Sequence, residues 1–262
     1  MKAAFDVLAN SYDADFTTRQ PGRWLRSLVW RQLEHLVRPG DRLLDLACGT
    51  GEDAVWLAGR GARVTAVDCS SAMLALTERK AASSGSSEFV RTKWLDLADL
   101  QEESLPGEPF DGVLSDFGGL NCLAERRSLA DWLAGRVARE GWLALILMNP
   151  FCLWEISWFG LKGLPAQARR RWNIPAQVQI APGRLIDVWY PRVVTIREEF
   201  STAFRFIRTV GIGVFLPPAY LSQWVEAHPK ISGVLYLLDR MGGKIFPWKL
   251  LGDHYLVIFE RR

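Results

Sequence analysis

The sequence predicts an α/β protein organised around a doubly wound, mostly parallel sheet with helices on both faces. Three observations carry that reading. Strand-like apolar runs alternate with helix-length segments between residues 42 and 148. The first run passes directly into a glycine-bearing turn, Cys48-Gly49-Thr50-Gly51. A balance of 49% hydrophobic to 23% charged residues over 262 positions is that of a globular chain long enough to bury a sizeable core. Parallel neighbours cannot be joined by a tight turn, so repeated strand-helix units imply crossovers that cover the sheet above and below.

Taken in order, the chain opens with helices. Phe5, Leu8, Ala9 and Tyr12, then Trp24, Leu25, Leu28, Val29, Leu33 and Leu36, recur at helical spacing, and Pro39-Gly40 stops the second helix. Strands follow at 42–47, 63–67, 88–94, 112–115 and 142–148, with helices between them. Beyond Pro150 the pattern becomes irregular and aromatic, with Trp154, Trp158, Trp172, Trp189 and Tyr190. A helix is expected from Thr195, because Thr195 and Glu198 have capping-box spacing. A strand at 207–215, a Pro217-Pro218 stop, two short helices over 219–241 and a last strand at 254–260 complete the chain. The whole reads as a single domain, 1–262, with cap insertions at about 150–194 and 217–253, after the fifth and sixth strands.

Charge and cysteine usage remove several function classes. The net charge of +3 comes from 32 basic and 29 acidic residues spread along the chain, too weak a bias to point to nucleic acid. The short cluster Arg169, Arg170, Arg171 reads as a solvated helix face. Cys48, Cys69, Cys122 and Cys152 have no C-x-x-C spacing and no neighbouring histidines, so buried, reduced thiols are expected and no metal site. Asp6 and Asp13 break the N-terminal apolar pattern, which argues against a signal peptide and for a cytoplasmic address. The longest apolar stretch, 142–154, is interrupted by Asn149-Pro150 and falls short of the roughly 20 residues that span a bilayer. Twelve tryptophans are an unusual share, and indole suits half-wet pockets as well as cores.

Chemistry concentrates at the tip of the first strand. Leu43-Leu44-Asp45-Leu46-Ala47-Cys48-Gly49-Thr50-Gly51 is an apolar strand entering a turn whose glycines let a ligand approach bare backbone. Read literally, Gly49 to Ala54 fits the dinucleotide fingerprint G-x-G-x-x-A, with Asp68 at the distance of a ribose-binding acid, which would make an NAD(P)-dependent oxidoreductase. Charge separates the alternatives. A pyrophosphate wants the helix N-terminus free of anions, whereas Glu52 and Asp53 occupy the first helical turn and Asp45 the strand tip. S-adenosylmethionine carries an ammonium and a sulfonium beside one carboxylate, so acidic side chains around such a turn suit it.

With those residues in place, the sequence resembles the class I S-adenosylmethionine-dependent methyltransferases over roughly residues 5–148. Their first motif, D-L-G-x-G-x-G, is matched by Asp45 to Gly51, with Ala47 where the family has glycine. A methyl group there is tolerable if the local φ is negative. The resemblance implies a Rossmann-like, seven-stranded sheet whose last strand is antiparallel, and it implies the site. Asp68, ending the strand before Cys69, would hold both ribose hydroxyls, as a carboxylate can. Met73 falls beside the adenine, Asp96 matches the acid that accepts its amino group, and Cys69 and Leu97, next to these acids, join the cofactor-binding set. Asp116 and Phe117 would lie near the methionine end, and Tyr12 would close over the cofactor. Met73 as plain core and Tyr12 as an interhelical tyrosine remain open alternatives.

Methyl transfer is an in-line displacement at a carbon already activated by the sulfonium, so alignment and exclusion of water matter most, with proton removal where the acceptor needs it. Asn149-Pro150-Phe151 looks like part of an amino-methylating signature, but it follows the fifth strand rather than the fourth and reads as a chain break. Ligands bind outside the carboxyl ends of parallel strands, where both insertions emerge. Their tryptophans and tyrosines would line a closed apolar pocket, for a small hydrophobic or aromatic acceptor rather than RNA or protein; packing of the cap on the sheet is the alternative. An antiparallel last strand would start at that same end, which places His254 as a candidate base, with Tyr190 and Tyr220 as weaker ones.

Overall fold

The computed structural model describes residues 2–100 and 104–262. Helices α1 (Lys2–Tyr12) and α2 (Gln20–Leu33) precede the sheet, joined by a π-helical turn at Asp13–Thr17. Then come β1 (Arg42–Leu46), α3 (Glu52–Ala58), β2 (Arg63–Asp68), α4 (Ser71–Ser83), β3 (Val90–Trp94), β4 (Phe110–Ser115), α5 (Arg127–Ala134) and β5 (Val137–Met148). After these lie α6 (Leu153–Leu161), α7 (Pro165–Ala168), β6 (Ala176–Ala181), β7 (Arg184–Val188), α8 (Val193–Phe200), β8 (Phe204–Ile212), α9 (Ser222–Ala227), α10 (Pro229–Gly242) and β9 (His254–Arg261).

Seven strands form one sheet in the order β3-β2-β1-β4-β5-β9-β8, with β6 and β7 a separate hairpin. Strands β1 to β5 pair in parallel, and β9 runs antiparallel to both β5 and β8. Alternation along each buried strand divides its side chains between two cores. Leu43, Ala66 and Ile146 pack under α2, α3 and α4 through Leu25, Leu57 and Leu74. Leu44, Val67 and Leu145 face the other way, onto Leu129 and Leu133 of α5 and Ile196 and Phe200 of α8. This is the doubly wound α/β architecture expected.

Three local expectations fail. Thr195 does not cap a helix: α8 starts earlier, with extended Arg192 at its N-cap, leaving Thr195 inside the first turn. The sixth sheet strand is Phe204–Ile212, not 207–215, because Gly213 takes a positive φ of 66° and turns the chain. The segment after Pro150 is not irregular; it holds α6, α7 and the β6-β7 hairpin, turning at Pro182-Gly183 with φ 71° at Gly183.

Candidate active site

Strand order reverses between β1 and β4, so the crevice beyond their carboxyl ends is the natural ligand position. A cavity of about 690 Å³ opens there. Ala47 to Thr50 of the turn after β1 floor it, whereas Gly51 lies behind the lining; Ala47, Gly49 and Gly51 have φ of 54°, 54° and 78°. At Gly51 a side chain would also stand 2.5 Å from Thr77, so glycine is required twice over. The condition of a negative φ at Ala47 is not met: this residue bears left-handed strain of roughly 1 kcal/mol. Its methyl group fits only because Gly119 faces it; a Cβ on Gly119 would lie 2.4 Å from that of Ala47.

Asp68 ends β2 on the cavity wall. One of its carboxylate oxygens accepts the Gly49 N–H at 3.0 Å and the other the Ser70 N–H at 2.8 Å. Four acceptor lone pairs leave capacity for two further donors, the demand of a ribose diol. Burial raises its pKa against the pull of those backbone bonds. Cys69, Met73, Leu95, Asp96 and Leu97 continue the wall, with Met73 buried and Asp96 accepting the Ala98 N–H at 2.9 Å. Burial pushes the Cys69 thiol up to about 11, which leaves it inert at neutral pH.

The acids of the glycine turn do not act as the sequence suggested. Asp53 is buried against Arg26, which donates to one oxygen, while Trp30 donates to the other at 2.7 Å. Glu52 meets Lys80 at 2.9 Å, and Lys80 also meets Asp13 at 3.0 Å. Both first-turn charges are thus already balanced, which leaves Asp45 and Asp116 as acids that, among the described residues, face the cavity without a cation bonded to them. Each is buried with one carboxylate oxygen, Oδ2, that has no hydrogen-bond partner among the described residues. Burial and then Asp53 push both carboxyls well above their ordinary range, against the opposing pull of Arg26. Two buried, under-bonded carboxyls on a nucleoside-sized cavity favour a cation: an ammonium can donate hydrogen bonds to them and a sulfonium adds positive charge, whereas a pyrophosphate brings like charge.

An aromatic file crosses the cavity from the cofactor side to the far end of the sheet. Tyr12 lies 5.7 Å from Phe16, Phe16 5.1 Å from Phe117, and Phe117 5.2 Å from the imidazole of His254, ring centre to ring centre. Burial raises Tyr12 to about 12, so it stays a neutral phenol. His254 stands opposite Met148, where β9 starts beside the end of β5. Its Nδ1 is 3.3 Å from Asp253 Oδ2. Burial would raise the Asp253 carboxyl, but His254 and Arg171 overrule it and hold the group well below its usual range.

Arg171 corrects another expectation: it is buried, not solvated. It donates to Glu155 at 3.0 and 2.7 Å, to Asp253 Oδ1 at 2.5 Å and to the Asn149 carbonyl at 3.1 Å. Cys152, Glu155 and Asp253 are grouped closely enough to hold a metal ion, but the guanidinium already bonds both carboxylates. Asn149 donates to the Leu250 carbonyl at 2.8 Å, consistent with a structural chain break.

The cap reaches the cavity from both insertions, through Val178, Ile180, Ile186 and Val188 of the hairpin, Tyr190, and Pro218 to Tyr220. Tyr190 and Tyr220 lie under the cations of Arg171 and Arg170, at 5.4 and 5.1 Å. The tryptophans do not line it. Trp154 packs with Trp158 and Trp224 and bonds the Phe215 carbonyl, and Trp30 stacks on Trp56. What sequence reasoning missed is Gln177 and Gln179, cavity residues on β6; the alternation Gln177-Val178-Gln179-Ile180 before Pro-Gly was the available signal.

Fold order, glycine turn and buried acids are those of the class I S-adenosylmethionine-dependent methyltransferases, and the domain this chain carries is of the methyltransferase type. Residues 43–141 match the methyltransferase domain family. The chain is 34% identical over 144 residues to a demethylmenaquinone methyltransferase of Clavibacter sepedonicus, covering 54% of each protein. A second protein of that name, from Symbiobacterium thermophilum, is 31% identical, and the chain covers 60% of it. The chain therefore spans between half and two thirds of the length of these relatives. A tRNA U34 carboxymethyltransferase of Methylococcus capsulatus is 28% identical, over 91% of this chain and 71% of that protein. The CcbJ methyltransferase of Streptomyces caelestis superposes with a TM-score of 0.62 over 99% of this chain and 98% of its own, at 14% identity, a likeness of fold.

Proposed function

We propose that the chain transfers a methyl group to a small, largely apolar or aromatic acceptor held beneath the cap. The single observation that carries this reading is the cavity, continuous from the glycine turn to the hairpin and walled on its cap side by Val178, Ile180, Ile186 and Val188. Asp68 would bind the ribose hydroxyls, Asp96 the adenine amino group, and Met73, Leu97 and Cys69 would pack around the base. Backbone of Ala47 and Gly49 would meet the methionine moiety, and Asp45 and Asp116 its cationic groups. The bound cofactor supplies an electrophilic methyl group. Phe117 and Tyr12 exclude water from it, and His254, backed by ionised Asp253, takes the acceptor's proton. Tyr190 and Tyr220 orient the acceptor from the cap. The chain acts as one domain, with the two insertions as its lid.

A second reading, an RNA acceptor, is favoured by the length of the match to the tRNA-modifying relative. The test separates them. With methyl-labelled S-adenosylmethionine and a cell extract, label is expected in the organic-soluble fraction; label in the RNA fraction instead would overturn the small-acceptor reading. Calorimetry should show binding of S-adenosylmethionine and none of NAD. His254→Ala is expected to lower kcat roughly a hundredfold while cofactor affinity stays within a few-fold.

A further inference from the structure

Helix α10 is apolar on both sides. Leu235 and Tyr236 pack inward on the first core, with Tyr236 stacked on Trp24, and buried Asp239 accepts the N–H groups of Val214, Phe215 and Leu216. The outward face carries Ile231, Val234, Leu238 and Met241, which are 53, 57, 42 and 74% exposed. Their spacing of three and four residues makes one stripe along the helix. The turn beyond it extends the stripe with Ile245 and Phe246, 55 and 72% exposed. Side chains of this size in one row make a contiguous exposed apolar patch, the kind of surface that marks an interaction site.

The charge around the stripe has one sign. Lys230, Arg240 and Lys244 are exposed and Lys249 is half-buried. Asp239, the acid of this segment, is turned inward. Glu226 of α9 is bound to Arg19 at 3.2 Å. A second copy of this face would set these cations against their own kind. An anionic partner would not. No helix among the described residues is long and apolar enough to cross a membrane, so the contact suits a surface rather than a span.

We propose that α10 and the turn at 244–249 form a docking surface for an anionic phospholipid bilayer, apolar side chains entering the interface while the lysines meet the headgroups. The test is co-sedimentation of the full chain with vesicles of phosphatidylcholine alone or mixed equally with phosphatidylglycerol. Binding to the mixed vesicles is expected, weakened by salt, and reduced roughly tenfold by Phe246→Glu or Met241→Glu. Lys244→Glu with Lys249→Glu keeps the apolar stripe and should lower binding to mixed vesicles alone. Unchanged cofactor affinity in each variant certifies its fold. Equal binding to both vesicle types, no binding to either, or a dimer in light scattering that Met241→Glu dissociates would each overturn the proposal.

Discussion

Ala47 shows how a departure from a motif is accommodated by one distant residue. The strain at φ 54° and the 2.4 Å approach to a Cβ on Gly119 mean that positions 47 and 119 share one methyl's worth of space. Gly119→Ala alone should destabilise by about 2 kcal/mol through overpacking. Ala47→Gly alone should be neutral to about 1 kcal/mol stabilising, since relief of the left-handed strain is offset by a more flexible unfolded chain. The double variant should recover most of the loss, because the nearest atom to the new Cβ is then the residue 47 Cα at 3.9 Å. Additive effects in denaturant melts would contradict the shared-space account. Asp68 tests the cofactor side. Asp68→Ala is expected to weaken S-adenosylmethionine binding roughly a hundredfold by calorimetry, since charge-assisted bonds are the strong ones. It should also lower stability by about 1 kcal/mol, as the Gly49 and Ser70 N–H groups lose their acceptor.

At the scale of elements, the hairpin roof is held to the sheet through Asn121. Its amide donates to the Met148 and Trp189 carbonyls at 3.3 and 2.6 Å and accepts the Met148 N–H at 2.9 Å. Asn121→Ala should cost about 2 kcal/mol and speed amide exchange over 176–190 more than over β1 and β4, by mass spectrometry; uniform acceleration would deny the clamp. The core strands were legible because full burial writes continuous apolar runs, as in Trp142 to Met148. The hairpin was not, because β6 and β7 are half wet and their polar positions look like loop. Thr195 misled because a capping-box spacing recurs by chance and the extended backbone at Arg192 set the true start. Pairings across long separations, Arg26 with Asp53 or Arg171 with Asp253, leave no mark in local pattern, so the charge balance of the site became visible only in three dimensions.

Across the whole molecule these buried acids set how stability responds to pH. Asp45 and Asp116 are held well above the usual carboxylate range, by burial first and by Asp53 next. Asp239 is pushed up to about 6 by burial despite its three backbone donors. A carboxyl whose folded pKa exceeds an unfolded value of roughly 3.9 binds more protons when folded. Its contribution is complete below the unfolded value and is lost as pH rises through the folded one. Asp253 has the opposite sign: its folded pKa is depressed, so its contribution is present above the unfolded value and is lost on acidification. The cofactor-free protein should therefore be most stable in mildly acidic solution and lose stability toward neutrality. A cation beside Asp45 and Asp116 favours their ionised forms and removes that penalty. The rise in Tm produced by saturating S-adenosylmethionine should then grow as pH increases from roughly 5 to 8. Asp116→Asn, with one ionisable group fewer, should flatten that growth. Scanning fluorimetry that shows a constant rise across this range would mean the two carboxyls do not meet the cofactor's positive charge.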